Sequence, residues 1–416
     1  MRSPLRFGRS SRMPHGEPAL TLYASELCDP ELYRQGNPED LWRRMHAAAP
    51  VHEGTFEGQR FHAVISHALI WRVLKDSKGF SSELGMRLDQ NPAATSLAAG
   101  KMLIITDPPR HGKIRRIVNS VFTPRMVARL EENMRVTAAG IVDRAIEEGE
   151  CDFTDVAARL PLSVICDMLG VPPEDWDFML DRTMVAFGSG EADELAMAEA
   201  HADILSYYED LIRRRRREPR EDVVTALVNG VVDGTGLTDE EIFLNCDGLI
   251  SGGNETTRHA TIGGFLALLD NPEQWARLRD DPGLLPGAVQ EILRYTSPAM
   301  HVLRTAVAPT RIGAYALKPG DPVALWLSAG NRDPQVFADP DRFDITRSPN
   351  PHVTFSTGAH YCLGSALATS ELTVLFDRLL RRVGSAELTG PPRRTRSILI
   401  WGYDSVPVRL TAGSER

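Results

Sequence analysis

The clearest chemical potential lies in the stretch FSTGAHYCLG, Phe355–Gly364, where a single cysteine stands close to two glycines and a histidine. Gly358 can adopt a positive φ, so the loop can fold back tightly. After Cys362 the apolar residues recur at helical spacing, which predicts that the sulfur lies at a helix N-terminus. There the helix dipole and free backbone N–H groups stabilise a thiolate, and such a thiolate is well suited to bind a metal ion.

Several kinds of site can use one cysteine. A zinc site needs three further ligands, and although His360 is close, no second Cys/His pair completes one. A cysteine protease or acyltransferase needs a distant His/Asn pair, which no motif supports. A haem iron needs only one axial protein ligand. A cysteine at a helix start is more often structural, so the surrounding pattern has to decide.

A second group of chemical residues is the stretch SGGNETT, in the middle of a long helical pattern. Each of Gly252 and Gly253 costs about 1 kcal/mol relative to alanine in a helix interior. Such a pair can bend the helix, let a flat object lie against its backbone, or mark a close helix–helix crossing. Glu255 and Thr256 follow directly and offer a carboxylate beside a hydroxyl.

Two cationic side chains, His111 and Arg115, are four residues apart and therefore share one face of a predicted helix. Asp107 is expected to cap this helix and Pro108 to begin it. A histidine and an arginine on one face can bind carboxylates, although a charged side chain is usually a surface residue.

The bulk composition excludes several classes of protein. The 416 residues carry a net charge of -9, which argues against general nucleic-acid binding. Five scattered cysteines without a CxxC pair argue against a disulfide framework and a Cys-rich zinc site. No apolar run suits a signal peptide or a membrane span. We therefore expect a cytoplasmic protein that binds neither membrane nor nucleic acid.

The rest of the chain must position these groups, and most of it has helical periodicity. Strand-like runs are limited to Arg60–Ile65, Val302–Leu317 and Ser397–Leu410. Ser82–Gly100 is rich in glycine, alanine and asparagine and is predicted to be a long loop. Thr238–Asp270 is the longest predicted helix.

The ends of three helices can be predicted. Thr238 and Glu241 form a possible capping box at the start of the long helix. The run Arg213–Arg217 is expected to be a solvated helix end, and otherwise a docking patch for an acidic partner. Gly384 is expected to end the helix that follows Cys362.

The Cys362 stretch resembles the cysteine-ligand loop of the cytochrome P-450 superfamily of haem-thiolate monooxygenases, usually written FGxGxHxCxG. The resemblance extends in order over about 260 residues, whereas the first hundred match only in general character. The other matching segments are TDPPRHGKIRRIVNSVFTP at Thr106–Pro124, SGGNETT at the family's oxygen-binding kink, EILR at Glu291–Arg294, RTA at Arg304–Ala306 and NRDPQVFADPDRFDITR at Asn331–Arg347.

The resemblance implies a mainly α fold with small β-sheets. Haem b, the iron protoporphyrin IX, is expected between the long central helix and the C-terminal cysteine-loop helix. Residues 1–20 are expected to be a flexible N-terminus and residues 21–416 a single haem-thiolate monooxygenase domain.

The resemblance also assigns roles. Cys362 is expected to bind iron as thiolate, Phe355 to shield that ligand, and Gly253 to belong to a groove with room for O₂. Glu255 and Thr256 match the family's acid–alcohol pair, which relays protons. The haem propionates are expected to contact His111, Arg115, Arg304 and His360.

A structural cluster and two departures complete the comparison. Glu291, Arg294 and Arg342 resemble the family's buried charge cluster. Ser356 stands where the family usually has glycine, and Thr369 stands where bacterial members often have arginine. Neither departure removes a group that the chemistry needs.

The implied activity is hydroxylation or epoxidation of a mostly apolar small molecule, possibly tethered to a carrier protein, in secondary-metabolite biosynthesis. Electrons are expected from a ferredoxin and its NAD(P)H-dependent reductase, docked on the cysteine side near Lys113, Arg116 and Arg382. Two alternatives remain: a peroxide-driven peroxygenase and a non-catalytic haem-binding sensor. The candidate pocket residues are Met86, Met184, Phe187, Met300, His301, Val302 and Trp401.

Overall fold

The protein is described by a computed structural model that covers residues 23–187 and 194–413. The predicted flexible segment 1–20 lies outside these residues. The helices are α1 (Tyr23–Glu26), α2 (Pro30–Arg34), α3 (Pro38–Ala48), α4 (His67–Lys75), α5 (Pro92–Ala98), α6 (Arg110–Asn119), α7 (Pro124–Glu148), α8 (Phe153–Leu169), α9 (Trp176–Phe187), α10 (Glu194–Arg217), α11 (Val223–Val228), α12 (Asp239–Asp270), α13 (Pro272–Asp280), α14 (Leu285–Thr296), α15 (Leu327–Gly330) and α16 (Ser365–Arg382).

The strands are short and form small sheets, as the sequence predicts. The strands are β1 (Val51–Phe56), β2 (Gln59–Val64), β3 (Phe80–Ser81), β4 (Glu150–Asp152), β5 (Val231–Val232), β6 (Thr235–Gly236), β7 (His301–Ala306), β8 (Thr310–Ile312), β9 (Tyr315–Leu317), β10 (Pro322–Trp326), β11 (Val383–Leu388), β12 (Arg393–Arg394), β13 (Tyr403–Ser405) and β14 (Pro407–Ala412). The largest sheet has the order β1-β2-β10-β7-β3, with β2 and β10 parallel. A smaller sheet has the order β11-β14-β4.

Helix α12 runs through the main apolar core, and its predicted bounds are confirmed. The Thr238 hydroxyl accepts the Glu241 N–H while the Glu241 carboxylate accepts the Thr238 N–H, which completes the capping box. The helix packs against α8, where Phe153 and Phe265 stack with ring centroids 3.8 Å apart. It also contacts α14 and α16, so one rigid rod carries the SGGNETT stretch to the cysteine helix.

Two predictions of local structure are wrong, one for a loop and one for the end of a helix. The segment Ser82–Gly100 contains helix α5, because Asn91 caps it by accepting the N–H groups of Ala93 and Ala94 and a proline follows the cap. Gly384 does not end α16, since the chain passes directly from the helix into β11. A Cβ at Gly384 would lie 2.6 Å from the Ala412 carbonyl oxygen, so this glycine permits close strand pairing.

The arginine run at the end of α10 is exposed, as predicted for a solvated helix end, except at Arg215. Arg215 is buried, where it pairs with Asp222 and donates to the Gly170 carbonyl. Arg216 pairs with Asp239 at the start of α12. The predicted solvated helix end is therefore wrong for Arg215, and neither contact supports a docking patch.

Over the residues that the structure covers, no helix is both long enough and apolar enough to cross a bilayer.

Candidate active site

The cysteine loop is closed by its own backbone. The Cys362 N–H donates to the Phe355 carbonyl at 2.9 Å, and Gly358 turns the chain between them with φ of 74°. A Cβ at Gly358 would lie 2.5 Å from the carbonyl oxygen of Leu74 in α4, so only glycine fits. Helix α16 begins at Ser365, three residues beyond the sulfur. The predicted position of Cys362 at a helix start is thus confirmed to within a turn.

The two departures from the family pattern have different structural consequences. Ser356 has φ of 59°, which is a left-handed conformation that favours glycine. Its Oγ is buried and has no hydrogen-bond partner among the described residues. The Thr369 hydroxyl donates to the Ser365 carbonyl at 2.8 Å within α16, so its side chain satisfies itself locally. Ser356 therefore keeps the loop shape at a cost in backbone strain.

Cys362 is half-buried, and its surroundings affect the pKa of the thiol in opposite directions. Burial raises the pKa of the thiol, while a hydrogen bond from the Gly364 N–H and the charge of Arg115 lower it. The ring of Phe355 is half-buried and meets Tyr361 edge-on at 6.5 Å between centroids. Because burial outweighs the N–H and the arginine, a bound cation is needed to hold the sulfur as thiolate at neutral pH.

The structure brings the predicted propionate ligands together. The rings of His111 and His360 lie 4.3 Å apart between centroids, and Arg115 donates to the Ala359 carbonyl at 3.3 Å. Burial lowers the pKa of His111 to about 4, helped by the charge of Arg115. Burial lowers the pKa of His360 to about 3, helped first by Arg304. These residues therefore form one cluster of potential cations.

Arg304 is a buried member of this cluster and lies on β7, paired in register with Val323 of β10. Its guanidinium donates to the neighbouring Leu303 carbonyl at 2.7 Å. Burial lowers the pKa of Arg304 to about 10, and Asp107 opposes that effect. No ion pair joins Arg304 to a carboxylate within the residues that the structure covers.

Asp107 does not cap α6, which corrects the predicted helix start. Its carboxylate accepts the Ser81 hydroxyl at 2.5 Å and the Ser82 N–H at 2.9 Å, and helix α6 begins at Arg110. The Ser82 hydroxyl in turn meets His360 Nε2 at 3.2 Å. The aspartate thus ties α6 to β3, which places His111 against the cysteine loop.

These residues fit the iron porphyrin that the resemblance implies. Arg304, a buried guanidinium without an ion-pair partner among the described residues, suits an anionic ligand such as a propionate, and Arg115 and the two neutral imidazoles offer further N–H donors beside it. A Cβ at Gly364 or Gly252 would meet no atom within 4 Å, so the start of α16 and the Gly252 turn of α12 can each lie against a flat group. Half-buried apolar side chains suit its macrocycle; these are Leu249, Val302, Phe355, Leu363 and Leu367.

The acid–alcohol pair on α12 has one locally bonded and one buried member. The Thr256 hydroxyl donates to the Gly252 carbonyl at 2.9 Å, as expected for a loosened helix turn. Glu255 is buried and pairs with Arg258 at 2.6 Å and His259 at 3.4 Å. Burial opposes its ionisation, but Arg258 and His259 outweigh burial and hold the pKa of Glu255 below its ordinary value.

Gly253 does not have the predicted role. A Cβ at Gly253 would lie 3.2 Å from Ile165 of α8, so this glycine permits close helix–helix packing. Gly252 is the member of the pair that faces open space. The prediction missed this because two adjacent helical residues point about 100° apart, and sequence alone does not say which of them faces the neighbouring helix.

The buried charge cluster is formed, but one of its predicted members is wrong. Glu291 and Arg294 are fully buried and joined by two hydrogen bonds of 2.8 and 2.9 Å. The second cation is Arg347, which reaches Glu291 at 3.1 Å. Arg342 contributes only its carbonyl oxygen, which accepts from Arg294 and Arg347. Arg342 itself is exposed.

Several candidate pocket residues are instead core. Met300, His301 and Trp401 are buried, and His301 stacks on Trp326 at 4.7 Å between centroids. His301 is satisfied on both nitrogens, since Nδ1 meets the Ile398 carbonyl and Nε2 meets the Leu88 N–H. The side chain of Phe187 lies outside the described residues.

Sequence reasoning overlooked Arg258 and His259, which contact Glu255. Their spacing of three and four residues from Glu255 on one helix is the signal that could have found them. The sequence also gave no sign that two of the expected docking groups form ion pairs. In the structure Lys113 pairs with Asp233, and Arg382 pairs with Asp143.

Comparison with known sequences supports the resemblance. A family model described as cytochrome P450 matches residues 283–397. Cytochrome P450 NovI of Streptomyces niveus is 37% identical over 93% of this chain and 96% of its own length. Linalool 8-monooxygenase of Pseudomonas putida is 34% identical over 92% of this chain and 98% of its own length.

Comparison with solved structures agrees. P450 OxyD, described as involved in the biosynthesis of vancomycin-type antibiotics, superposes with a TM-score of 0.86 and 37% identity, covering 92% of this chain and 99% of its own. P450BioI in complex with an acyl carrier protein that carries hexadec-9Z-enoic acid gives a TM-score of 0.81 at 29% identity, covering 91% and 100%.

Proposed function

Because this chain belongs to the cytochrome P450 superfamily of haem-iron oxidoreductases, we propose that Cys362 binds the iron of haem b and that the protein is an O₂-dependent monooxygenase. The observation that carries the proposal is the half-buried Cys362 sulfur in a loop whose His360 adjoins Arg115 and the buried Arg304, with no carboxylate paired to Arg304 among the described residues. When bound, the haem iron supplies O₂ activation. The chain's own residues hold the cofactor, exclude water and deliver protons.

The cationic cluster holds the propionates. Arg304 and Arg115 can each grip a carboxylate with parallel N–H bonds, and His111 and His360 can donate single bonds. Burial lowers the pKa of Arg304 in the protein alone, and the negative charge of a propionate beside the guanidinium would raise that pKa again. Phe355 would keep water from the sulfur, a role supported by its half-buried ring, which packs edge-on against Tyr361 beside Cys362.

Glu255 and Thr256 move protons. Thr256 can exchange its bond to the Gly252 carbonyl for one to a water or substrate oxygen, since its residue is only half-buried. Glu255 is ionised in the folded protein and can therefore accept a proton from water and pass it on. A carboxylate adjacent to a hydroxyl on one helix turn thus gives a relay into the site.

The substrate class that we propose is a mostly apolar small molecule of secondary metabolism. Support comes from the antibiotic-biosynthesis description of OxyD and from half-buried apolar residues near the site, such as Leu249, Val302 and Met184. Presentation of the substrate on a carrier protein is supported by the carrier complex of P450BioI. Electrons come from a separate ferredoxin and its NAD(P)H-dependent reductase.

Turnover with defined partners tests this function. The purified protein is mixed with a ferredoxin, its reductase, NADPH and a library of free and carrier-tethered natural products. We expect O₂-dependent product that carries one oxygen atom from ¹⁸O₂. Faster oxidation with hydrogen peroxide than with the electron chain would instead identify a peroxygenase. Ligand binding with no O₂ consumption under any reductant would identify a sensor.

A further inference from the structure

A group of buried polar atoms without protein partners lies on α12 next to the relay acid. Both amide atoms of Asn254, Oε1 of Glu255 and Nε of Arg258 are inaccessible and make no hydrogen bond within the described residues. Asn254 is 1% exposed, Arg258 3% and Glu255 6%. Buried polar atoms are ordinarily paired with protein or ordered water, so such a concentration over five residues of one helix points to internal water.

The other oxygen of Glu255 is held firmly. Arg258 Nη2 donates to Oε2 at 2.6 Å, and His259 Nε2 lies 3.4 Å from the same atom. The two oxygens of one carboxylate are therefore unequal, because Oε2 is occupied by two side chains and Oε1 by none among the described residues.

The backbone fixes which nitrogen of His259 carries the proton. His259 Nδ1 accepts the N–H of Tyr403 at 3.3 Å, which favours the neutral ring with its hydrogen on Nε2. Nε2 lies 3.4 Å from Glu255 Oε2 and 3.2 Å from Arg258 Nη2, so the imidazole and the guanidinium converge on the same carboxylate oxygen. The backbone of Gly402 lies so close to the imidazole that a Cβ there would be 2.2 Å from Nδ1, and the His259 side chain is fully buried. The segment that leads into β13 thus packs against the ring on the side of Nδ1.

We propose that His259 is a positioning residue that, with Arg258, holds Glu255 by Oε2 so that Oε1 and the Asn254 amide bind ordered water for proton delivery. The inference rests on the proposed oxygenase function. In each transfer the Glu255 carboxylate first takes a proton at Oε1 from this water, which regains a proton from bulk solvent. Glu255 then releases its proton toward the site and is again a carboxylate.

Other charged groups face this assembly from the elements around it. Asp155 of α8 acts on Arg258, Asp404 of β13 acts on His259, and Met184 of α9 contacts the Arg258 guanidinium through sulfur. Burial, and then Arg258, lower the pKa of His259, so the ring stays neutral. A neutral His259 can act only as a fixed donor to Glu255 and not as a second proton carrier.

Two variants separate the two bonds of His259. The side-chain amide of His259→Gln can place an N–H where Nε2 stands, and that of His259→Asn can place only an acceptor where Nδ1 stands. The first therefore keeps the Glu255 bond, and the second keeps the Tyr403 bond. With holoenzyme, ferredoxin, reductase and substrate, we expect His259→Asn to lose at least about fivefold in product formed per NADPH, while His259→Gln stays within about twofold of wild type.

A second readout does not depend on turnover. Infrared titration of the ferric holoenzyme reports the protonated carboxyl band of Glu255, which is assigned by its absence in Glu255→Gln. We expect this band to appear at higher pH in His259→Asn than in His259→Gln, because only the former loses the N–H that stabilises the carboxylate.

The outcomes distinguish this inference from the proposed function. If wild type shows sulfur-ligated haem and O₂-dependent turnover, but both variants have equal coupling and equal carboxyl titration, the positioning role is overturned. If wild type itself lacks sulfur-ligated haem, the proposed function fails instead. A well-ordered crystal structure of the holoenzyme with no water on Glu255 Oε1 or Asn254 would also contradict the inference.

Discussion

At the scale of single residues, the site depends on backbone shape as much as on side chains. Gly358 is required because α4 comes within 2.5 Å of its missing Cβ, and the FSTGAHYCLG pattern predicts such a tight turn. The strain at Ser356 was not predictable, because a serine carries no signal for positive φ. Its conformation follows from the closure of the loop, in which the Ser356 N–H donates to the Val353 carbonyl and the Cys362 N–H donates to the Phe355 carbonyl.

Substitution of Ser356 tests this strain. We expect Ser356→Gly to raise the free energy of unfolding by about 1 kcal/mol, because glycine adopts positive φ without steric cost. Ser356→Ala is the matched control, since it removes the unpartnered hydroxyl but keeps the strained backbone. Chemical denaturation of the holoprotein measures both. An alanine variant as stable as the glycine variant would assign the effect to the hydroxyl.

Glu371 of α16 should make stability depend on pH. Burial raises its pKa to about 8, and one carboxylate oxygen has no partner among the described residues. The folded state therefore binds this proton more tightly than the unfolded state does, so stability falls as pH rises from about 4 to about 8. We expect Glu371→Gln to remove this fall and to stabilise the protein by about 3 kcal/mol at pH 7.

Thermal unfolding across this pH range checks the prediction for Glu371. Glu387→Gln, on an exposed part of β11, is the control and should leave the pH profile unchanged. A Glu371→Gln profile that falls between pH 5 and pH 8 as steeply as wild type would show that other groups cause the fall and would contradict the prediction.

At the scale of elements, strong local signals were predicted well and tertiary choices were not. The bounds of α12 followed from its capping box and from the proline that begins α13. Gly253 was assigned to the cofactor because the sequence does not say which side of α12 meets α8. Arg342 was assigned to the cluster by resemblance alone, and only the folded loop shows that the guanidinium of Arg347 reaches Glu291.

The Glu291 cluster gives a direct test at this scale. We expect Glu291→Ala to destabilise the protein by about 3–5 kcal/mol and to lose haem, because it leaves Arg294 buried without its partner. Arg342→Ala should be close to neutral, since only its backbone takes part. Denaturation midpoints and haem content measure both variants. Equal damage from the two would return Arg342 to the cluster.

At the scale of the whole molecule, the order of motifs along the chain predicted the fold and most of the site. The His111–Arg115 pair, Arg304 and His360 come from three distant parts of the sequence, yet the structure gathers them around one point. The resemblance made that gathering predictable, whereas periodicity alone would have left them as separate surface cations. The Glu255 environment was missed because the contact of Gly402 and Tyr403 with His259 depends on long-range folding.

Partner docking is the prediction that belongs to this scale. Arg116 is exposed on α6, next to the helix face that carries His111 and Arg115. We expect Arg116→Glu to slow reduction by an acidic ferredoxin several-fold at low salt, and the effect to shrink as ionic strength rises. Arg60→Glu, on the β1–β2 hairpin, is the control. Stopped-flow reduction with unchanged haem content checks this, and equal slowing by both variants would contradict a local docking site.

The most direct test of the central claim is the absorption spectrum of the reduced protein under carbon monoxide. Thiolate ligation by Cys362 predicts the red-shifted band of sulfur-bound haem in wild type and its loss in Cys362→Ala. A wild-type spectrum without that band, or an unchanged band in Cys362→Ala, would contradict the account.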